Sequence, residues 1–219
     1  MRYKSQGDIT INFEACLNDE LTRSPRSREA DEARHPWLTI LLDAYHILTI
    51  GTILALTSEV ARREASPACK AGCTACCLRP EVPVSELELL GIWWYVVEKL
   101  PPEERIVLNE RLIRHREILA CPFLVEMRCA IYPLRPLACR FLHVFGAPCK
   151  AEEITIETRQ QDIWLPREAV PRTVLTMLTY FGFATDETRR QALAEGYLVS
   201  VSTPMGNFPW ESLATARKK

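Results

Sequence analysis

Residues 69–77 read CKAGCTACC, so that four cysteines fall within nine positions. The residues between them are mostly small and include one glycine, which permits an irregular backbone from which several side chains reach one point. Thiolates are soft ligands that select zinc, copper(I) or iron–sulfur clusters over magnesium or calcium. This stretch therefore predicts a metal centre held by Cys69, Cys73, Cys76 and Cys77.

A second set of cysteines follows in the proline-rich residues 121–150. Between Cys77 and Cys121 the pattern predicts two helices that fold back on each other as a hairpin and bring its own ends together. Both cysteine groups are then expected at one end of this hairpin. The candidate metal ligands of the second set are Cys121, Cys129, Cys139 and Cys149, whereas Cys16 stands alone.

The two hairpin helices have recognisable boundaries. Ser85 is expected to cap the first helix, in which leucine, valine and tryptophan recur at helical spacing. The adjacent Pro101 and Pro102 break the chain and open a second helix, which is expected to run to about Leu119.

A long central helix is predicted before the hairpin, from Pro36 to about Ala65. Its segment from Leu38 to Leu56 has nearly the length of a membrane span, but it carries Asp43 and His46 near its middle. A charged side chain at that depth costs about 3 kcal/mol. We therefore expect a buried helix and no membrane partner.

The rest of the chain gives weaker patterns. Alternating apolar and polar residues predict short strands at residues 8–13, 153–157 and 198–201. Further helices are predicted from Pro171 to about Phe181 and from an Asp186 cap to near Gly196. The fold class is therefore mainly α, with a small β patch.

Three regions are expected along the chain. Residues 1–35 form an N-terminal strand and a polar, solvated connection, the latter over residues 18–35. Residues 36–200 form a single helical cysteine-cluster domain with its core at 69–149. Residues 201–219 show no clear pattern and are expected to be a tail.

Composition excludes some classes of function. The chain has 219 residues, 47% of them apolar, and a net charge of −1, which argues against nucleic-acid binding because that needs clustered Lys and Arg. The first residues lack the apolar core of a secretory signal, so a cytoplasmic location is expected. In such a reducing compartment, clustered cysteines are more typical of metal sites than of disulfides.

Several arginines lie beside the cysteines in sequence, and we expect them to supply positive charge and hydrogen bonds to the thiolates, which tune metal affinity and redox potential. Arg135 and Arg140 are predicted to contact the centre in this way without being ligands. The four arginines near the cysteines are Arg79, Arg128, Arg135 and Arg140.

Histidine contributes little to the predicted site. His143 lies four residues after Cys139, and His115 shares a helical stripe with leucines, so either is a candidate ligand. Both are more typical of packing or surface histidines. Asp43 and His46 are neighbours on the central helix, which permits a metal or proton-transfer role, but a buried hydrogen-bonded pair is the simpler interpretation.

Zinc and iron–sulfur both fit these residues. Eight cysteines are enough for two tetrahedral zinc sites that staple the structure. Iron–sulfur is favoured by the scarcity of histidine at cluster-like spacing and by Cys121-Pro122, which resembles the Cys-Pro of some ferredoxin sites.

The order and spacing of these motifs resemble the CxxCxxCC family, also described as a YkgJ-type cysteine cluster or zinc- or iron-chelating family. The resemblance covers residues 69 to about 149, with a first gap one residue longer than the family name spells. It implies a metal or iron–sulfur centre on seven motif cysteines, with Cys149 matching a downstream cysteine. The motifs are Cys69-x3-Cys73-x2-Cys76-Cys77, Cys121-Pro122-Phe123-Leu124 and Cys129-x-Ile131-Tyr132-x2-Arg135-Pro136-x2-Cys139-Arg140.

The same resemblance raises methyl transfer, because a flagellin lysine N-methylase carries a similar cysteine cluster. The spacing Cys69-x3-Cys73-x2-Cys76 is also that of the radical-SAM triad. However, Ala75 replaces the usual aromatic residue, and no repeated βα pattern predicts the barrel expected around such a triad.

We therefore expect a cysteine-ligated metal protein carrying an iron–sulfur cluster of the 4Fe-4S type, with a redox, sensing or enzyme-support role and a protein or redox partner. The alternatives are a zinc-stapled interaction module and a SAM-dependent methyltransferase. No glycine-rich phosphate loop, nucleophile elbow or metalloprotease helix is present in the sequence, and catalytic residues are not assigned.

Overall fold

The computed structural model describes residues 26–70, 72–78, 82–150, 153 and 155–217. The predicted strand at residues 8–13, together with Cys16 and Arg79, lies outside these residues.

The central helix is confirmed. Helix α1 spans Pro36–Arg63, with proline in its first turn and Glu64 at a φ of 52° after its last. Among the described residues it is the one helix long and apolar enough to cross a membrane, and 39% of its most apolar window is buried in the structure. Its buried side chains concentrate in the first half, whereas Ile53 and Leu54 are exposed.

The first hairpin helix begins where the sequence predicts. Helix α2 spans Glu86–Trp94, and Ser85 caps it in a reciprocal pair with Glu88, so that each side chain accepts a hydrogen bond from the other's backbone N–H. A π-helical turn at Tyr95–Lys99 continues the helix to Leu100. At Gly91 a Cβ atom would lie 2.2 Å from Leu41 Cδ2, so glycine is what permits α1 and α2 to approach here.

The second hairpin helix is shorter than predicted. Helix α3 spans Pro102–Ile113, and a 3-10 turn at His115–Glu117 follows it. The predicted end at Leu119 was wrong, because that side chain is 93% exposed and has no packing to hold it in a helix. Both hairpin helices contribute to one apolar cluster.

Short elements carry the second cysteine set. Strands β2 and β3 form a hairpin, with Leu124 opposite Cys129, and β4 pairs antiparallel with β5. The predicted strand at residues 153–157 was wrong over residues 155–157, which are helical. The elements are β1 Pro83–Val84, β2 Leu124–Val125, β3 Arg128–Cys129, α4 Ala138–Phe141, β4 His143–Val144, α5 Thr155–Thr158 and β5 Ile163–Trp164.

The C-terminal part is helical. The helix predicted from Asp186 is confirmed, although Thr185 rather than Asp186 is its cap. The predicted strand at residues 198–201 was wrong, because short apolar runs do not distinguish strand from buried helix. The elements are α6 Ala169–Leu178, α7 Asp186–Ala194, α8 Tyr197–Ser200, β6 Thr203–Pro204 and α9 Glu211–Ala214.

Residues 201–217 contribute side chains to the core and are not the tail that the sequence predicts. Strand β6 pairs antiparallel with β1, which precedes α2. Met205, Trp210 and Leu213 are almost fully buried in the same apolar cluster as the hairpin helices. Trp210 packs edge-on against Phe123, with ring centroids 4.7 Å apart.

The described part of the polar connection is also packed. Arg26 donates to Glu32 and Asp43, and Trp94 Nε1 donates to Asp31 at 2.9 Å. Asp31 and Glu32 are buried, so the expectation of a solvated loop was wrong for these two residues, whereas residues 27–30, 33 and 34 are exposed. The mainly α fold with small strand pairs is confirmed.

Candidate metal centre

The two cysteine groups meet in the structure. The Cys121 backbone N–H donates to the Cys77 carbonyl over 2.7 Å. Arg111 on α3 donates to the Cys121 carbonyl at 3.0 Å, which holds the start of the second group against the hairpin. The backbone therefore brings the ends of the hairpin together.

Five cysteines form what we call the inner group. Three of its members come from the second cysteine set, in which Cys121 is the first. Cys129 lies on β3 of the β2–β3 hairpin, and Cys139 lies on helix α4. The thiol of Cys121 lies 3.5 Å from Met205 Sδ, against the apolar cluster that contains Phe123 and Ile131. Within the group, Cys121, Cys129 and Cys139 each interact electrostatically with Cys76. The inner group is Cys76, Cys77, Cys121, Cys129 and Cys139.

Burial disfavours ionisation of Cys121, Cys129 and Cys139. It raises the pKa of Cys121 to about 12, and it also raises the pKa of Cys129 and Cys139, with the neighbouring thiols adding to the rise. The pKa of Cys76 is raised chiefly by a hydrogen bond with the thiol of Cys77. A metal cation is the species that offsets the cost of ionising such thiols together.

The other three cysteines, Cys69, Cys73 and Cys149, form what we call the outer group. Val144 N–H on β4 donates to Cys69 Sγ at 3.3 Å. Thr155 Oγ1 donates to Cys149 Sγ at 3.4 Å, and an Arg159 Nη2 lies 3.7 Å from the same sulfur. Burial raises the pKa of Cys69, and the nearby Cys73 and Cys149 add to it.

The thiols are free and do not converge on a single point. In the described ranges every cysteine is unpaired, and no three His, Cys, Asp or Glu side chains are arranged closely enough to hold a metal ion. The donor set nevertheless fits zinc or iron, since it consists of soft sulfur ligands on short loops. Binding requires the thiol side chains to turn towards one another.

Arg135, one of the arginines expected near the thiols, lies beside the inner group. Positive charge on Arg135 opposes the rise in the pKa of Cys76 and Cys129. Its guanidinium lies 4.2 Å from the Tyr132 ring centroid, and its buried Nε has no hydrogen-bond partner among the described residues.

The side chain of Arg140 is held by two backbone carbonyls and an aromatic ring. Its Nε donates to the Arg135 carbonyl at 2.7 Å and its Nη2 donates to the Pro133 carbonyl, while the guanidinium lies 4.0 Å from the Tyr45 ring centroid. Burial lowers the pKa of Arg140. No carboxylate in the described part of the chain forms an ion pair with it, and the acidic groups that interact with it are the Tyr45 hydroxyl and the thiols of Cys129 and Cys139.

A buried glutamate that the sequence did not reveal as part of the site holds the second cysteine loop. Glu88 Oε1 accepts a hydrogen bond from Leu137 N at 2.6 Å, two residues before Cys139, and one from the Tyr45 hydroxyl at 3.3 Å. The Ser-x-x-Glu capping pattern was the available signal, but it indicates only the helix start.

The candidate histidines are placed differently. The ring of His143 packs against that of Trp164, with centroids 5.5 Å apart. Burial lowers the pKa of His143, and its buried Nε2 has no hydrogen-bond partner among the described residues. His115 lies between α3 and α9, where its Nδ1 is 2.8 Å from the Leu112 carbonyl. It belongs to helix packing and not to the cysteine groups.

His46 faces a cleft, and Asp43 binds Arg26, which also lines it. Asp43 accepts from Arg26 at 2.6 Å, and His46 lines a cleft of about 420 Å³ whose wall also includes Tyr45 and Arg140. The cleft therefore adjoins the arginine side of the inner group.

A comparison with protein families matches residues 68–164 to the model CxxCxxCC, described as "Putative zinc- or iron-chelating domain". These residues are a CxxCxxCC domain. The CxxCxxCC domain takes in both cysteine groups and ends at Trp164 on β5, so it also includes Thr155 and Arg159. The family match therefore supports binding of zinc or iron by the cysteines of this domain. No curated protein and no solved structure matches the chain.

Proposed function

We propose that the inner group of the CxxCxxCC domain binds an iron–sulfur cluster of the 4Fe-4S type and that the protein has a redox, sensing or enzyme-support role. The observation that carries this proposal is the number and kind of donors. In the described part of the chain Cys76 interacts with each of the other four thiols of the inner group, and this all-cysteine set can supply the four thiolates that a 4Fe-4S cluster takes.

The surroundings of the inner group support the proposal. When bound, the cluster would supply one-electron transfer. Arg135 and Arg140 would offset the negative charge of the thiolates, and apolar side chains around Cys121 would exclude water, two factors that tune redox potential. Glu88 would hold the loop that carries Cys139.

Anaerobic purification followed by iron, sulfide and zinc analysis tests this proposal. We expect a brown protein with iron and acid-labile sulfide, broad absorption near ~400 nm and an electron paramagnetic resonance signal after reduction. Cys121→Ser should remove this signal, whereas Cys16→Ser, outside the motif, should not. A colourless protein with stoichiometric zinc would overturn the proposal.

A zinc-stapled module is the second candidate, because the elements that carry the cysteines are too short to be stable alone. The metal would then supply folding energy, and complete chelation should unfold the chain. Retention of cooperative unfolding without metal would exclude this role. The described residues add no argument for methyl transfer, which stays a prediction.

A further inference from the structure

The cleft beside His46 lies where three helical elements meet. It is lined by Tyr45 and Thr49 on α1, by Tyr95 at the start of the π-helical turn, and by Arg140 on α4. Its volume of about 420 Å³ lies within the range of about 300–1,000 Å³ that is typical of small-molecule sites. We infer that this cleft binds a small organic carboxylate with an apolar body, and that Arg140 binds the carboxylate group.

Arg140 supplies a positive charge that no carboxylate balances. In the part of the chain that the structure describes, its guanidinium forms no ion pair with Asp or Glu. A guanidinium carries five N–H groups, and Arg140 donates from Nε and Nη2 to the carbonyls of Arg135 and Pro133. An anion that enters the cleft therefore gains a charge-assisted hydrogen bond from this side chain.

The other lysine and arginine side chains that line the cleft are already paired. Arg26 binds Glu32 and Asp43, each at 2.6 Å, and Lys99 binds Glu29 at 2.9 Å. Glu29 also lines the cleft, so this acidic group lies beside its own partner. Among the described residues the charge left for a ligand is therefore that of Arg140, which suits a singly charged carboxylate better than a phosphate dianion.

Apolar side chains line the cleft between these charges. Leu42 and Tyr95 are half-buried and Pro133 is exposed, so each offers surface to a ligand. Tyr95 begins the π-helical turn Tyr95–Lys99, and such turns are frequent at functional sites. Sites of this kind, mostly apolar with a few polar groups that fix the orientation, are typical of small-molecule binding.

Arg140 and Tyr95 join the cleft to the inner group. Arg140 directly follows Cys139 on α4 and interacts with the thiols of Cys129 and Cys139. Tyr95 packs against the same apolar cluster as Cys129. A carboxylate bound by Arg140 would therefore lie beside the thiols, although the cleft is built from other side chains and its binding does not require a metal.

The test is a titration of the full-length protein with 4-fluorobenzoate, followed through the fluorine NMR signal of the ligand. The neutral 4-fluorobenzamide, which has nearly the same shape, is the control ligand. We expect the carboxylate to bind about tenfold more tightly than the amide, because the carboxylate gains a charge-assisted hydrogen bond. Equal affinities, or no binding of the carboxylate, would overturn the inference, and so would its displacement by an equal concentration of inorganic phosphate.

Two matched tryptophan variants locate the binding site. Thr49 and Thr57 are both exposed on α1, and each hydroxyl donates to the carbonyl four residues earlier, at 2.8 and 2.9 Å. Thr49 lines the cleft, whereas Thr57 does not. Thr49→Trp fills the cleft and should weaken 4-fluorobenzoate binding at least about tenfold, while Thr57→Trp should leave it unchanged. Equal affinities of these two variants would place the ligand elsewhere and refute the site.

Arg140→Met tests the role of the charge. It removes the guanidinium, so the ratio of carboxylate to amide affinity should fall from about ten to about one. An unchanged ratio would refute the role given to Arg140. Metal analysis of the same samples separates this inference from the proposed function, because a colourless zinc protein that binds 4-fluorobenzoate in the cleft would overturn the iron–sulfur proposal and support the cleft.

Discussion

Replacement of Glu88 by glutamine tests how the hairpin supports the second cysteine loop. One carboxylate oxygen accepts from Leu137 N and Tyr45 Oη, and the other accepts from Ser85 N and Ser85 Oγ at 2.9 and 2.7 Å. Glutamine has one acceptor oxygen and one NH₂ donor. In either orientation, its NH₂ group faces at least one backbone N–H.

The expected loss follows from these contacts. Hydrogen bonds to a charged group contribute about 1.5–3 kcal/mol each, so the loss of at least one and the burial of an unpaired donor should lower the free energy of unfolding by about 3 kcal/mol. The loop loses its anchor two residues before Cys139, so metal affinity at the inner centre should fall as well. Urea unfolding and chelator competition measure the two effects.

Glu86→Gln is the matched control, because Glu86 lies on the same helix, is exposed and accepts a hydrogen bond from the Tyr180 hydroxyl at 3.1 Å. Its effect should stay within about 0.5 kcal/mol. Equal unfolding curves for the two variants would refute the structural role of Glu88. A loss of stability without a change in metal affinity would refute its link to Cys139.

Three further perturbations follow from the site and its core. Arg140→Lys should weaken metal affinity at the inner group by about tenfold, because lysine cannot make both carbonyl contacts. The control Arg128→Lys changes an exposed side chain and should leave this affinity unchanged, and chelator competition measures both variants. Trp210→Ala should cost about 3–5 kcal/mol in urea unfolding, against almost no change for exposed Leu119→Ala. Burial raises the pKa of Cys121 from 9.0 to about 12, so the metal-free protein should lose stability as the pH rises above 9. The free energy of unfolding of Cys121→Ala should fall less over the same pH range. A difference in unfolding free energy between wild type and variant that does not change with pH would contradict this.

Local signals account for the parts of the fold that the sequence predicted well. Proline fixes the first turn of α1 and α3, and Ser85 with Glu88 fixes the start of α2, because these effects act within one helical turn. The strands expected at 153–157 and 198–201 were wrong because alternation in so short a run is outweighed by tertiary context.

Distant contacts account for what the sequence did not predict. Asp31 is buried because Trp94 supplies a hydrogen bond from 63 residues away. The cysteines can be recognised by residue type, but their division into inner and outer groups depends on the Pro67–Phe145 bridge, which no local pattern encodes. Glu88 is a helix cap in the sequence and a loop anchor only in the fold.

The contact between the Cys121 thiol and Met205 Sδ bears on how well the proposed cluster would be protected from air. Met205 and Trp210 lie beyond residue 164, so part of the wall that covers the inner thiols comes from outside the CxxCxxCC domain. A chain shortened to residues 68–164 would lose this cover and expose Cys121 to dioxygen and water. For the iron–sulfur cluster proposed above, the lifetime in air would therefore depend in part on Met205 and Trp210, which the family match does not include.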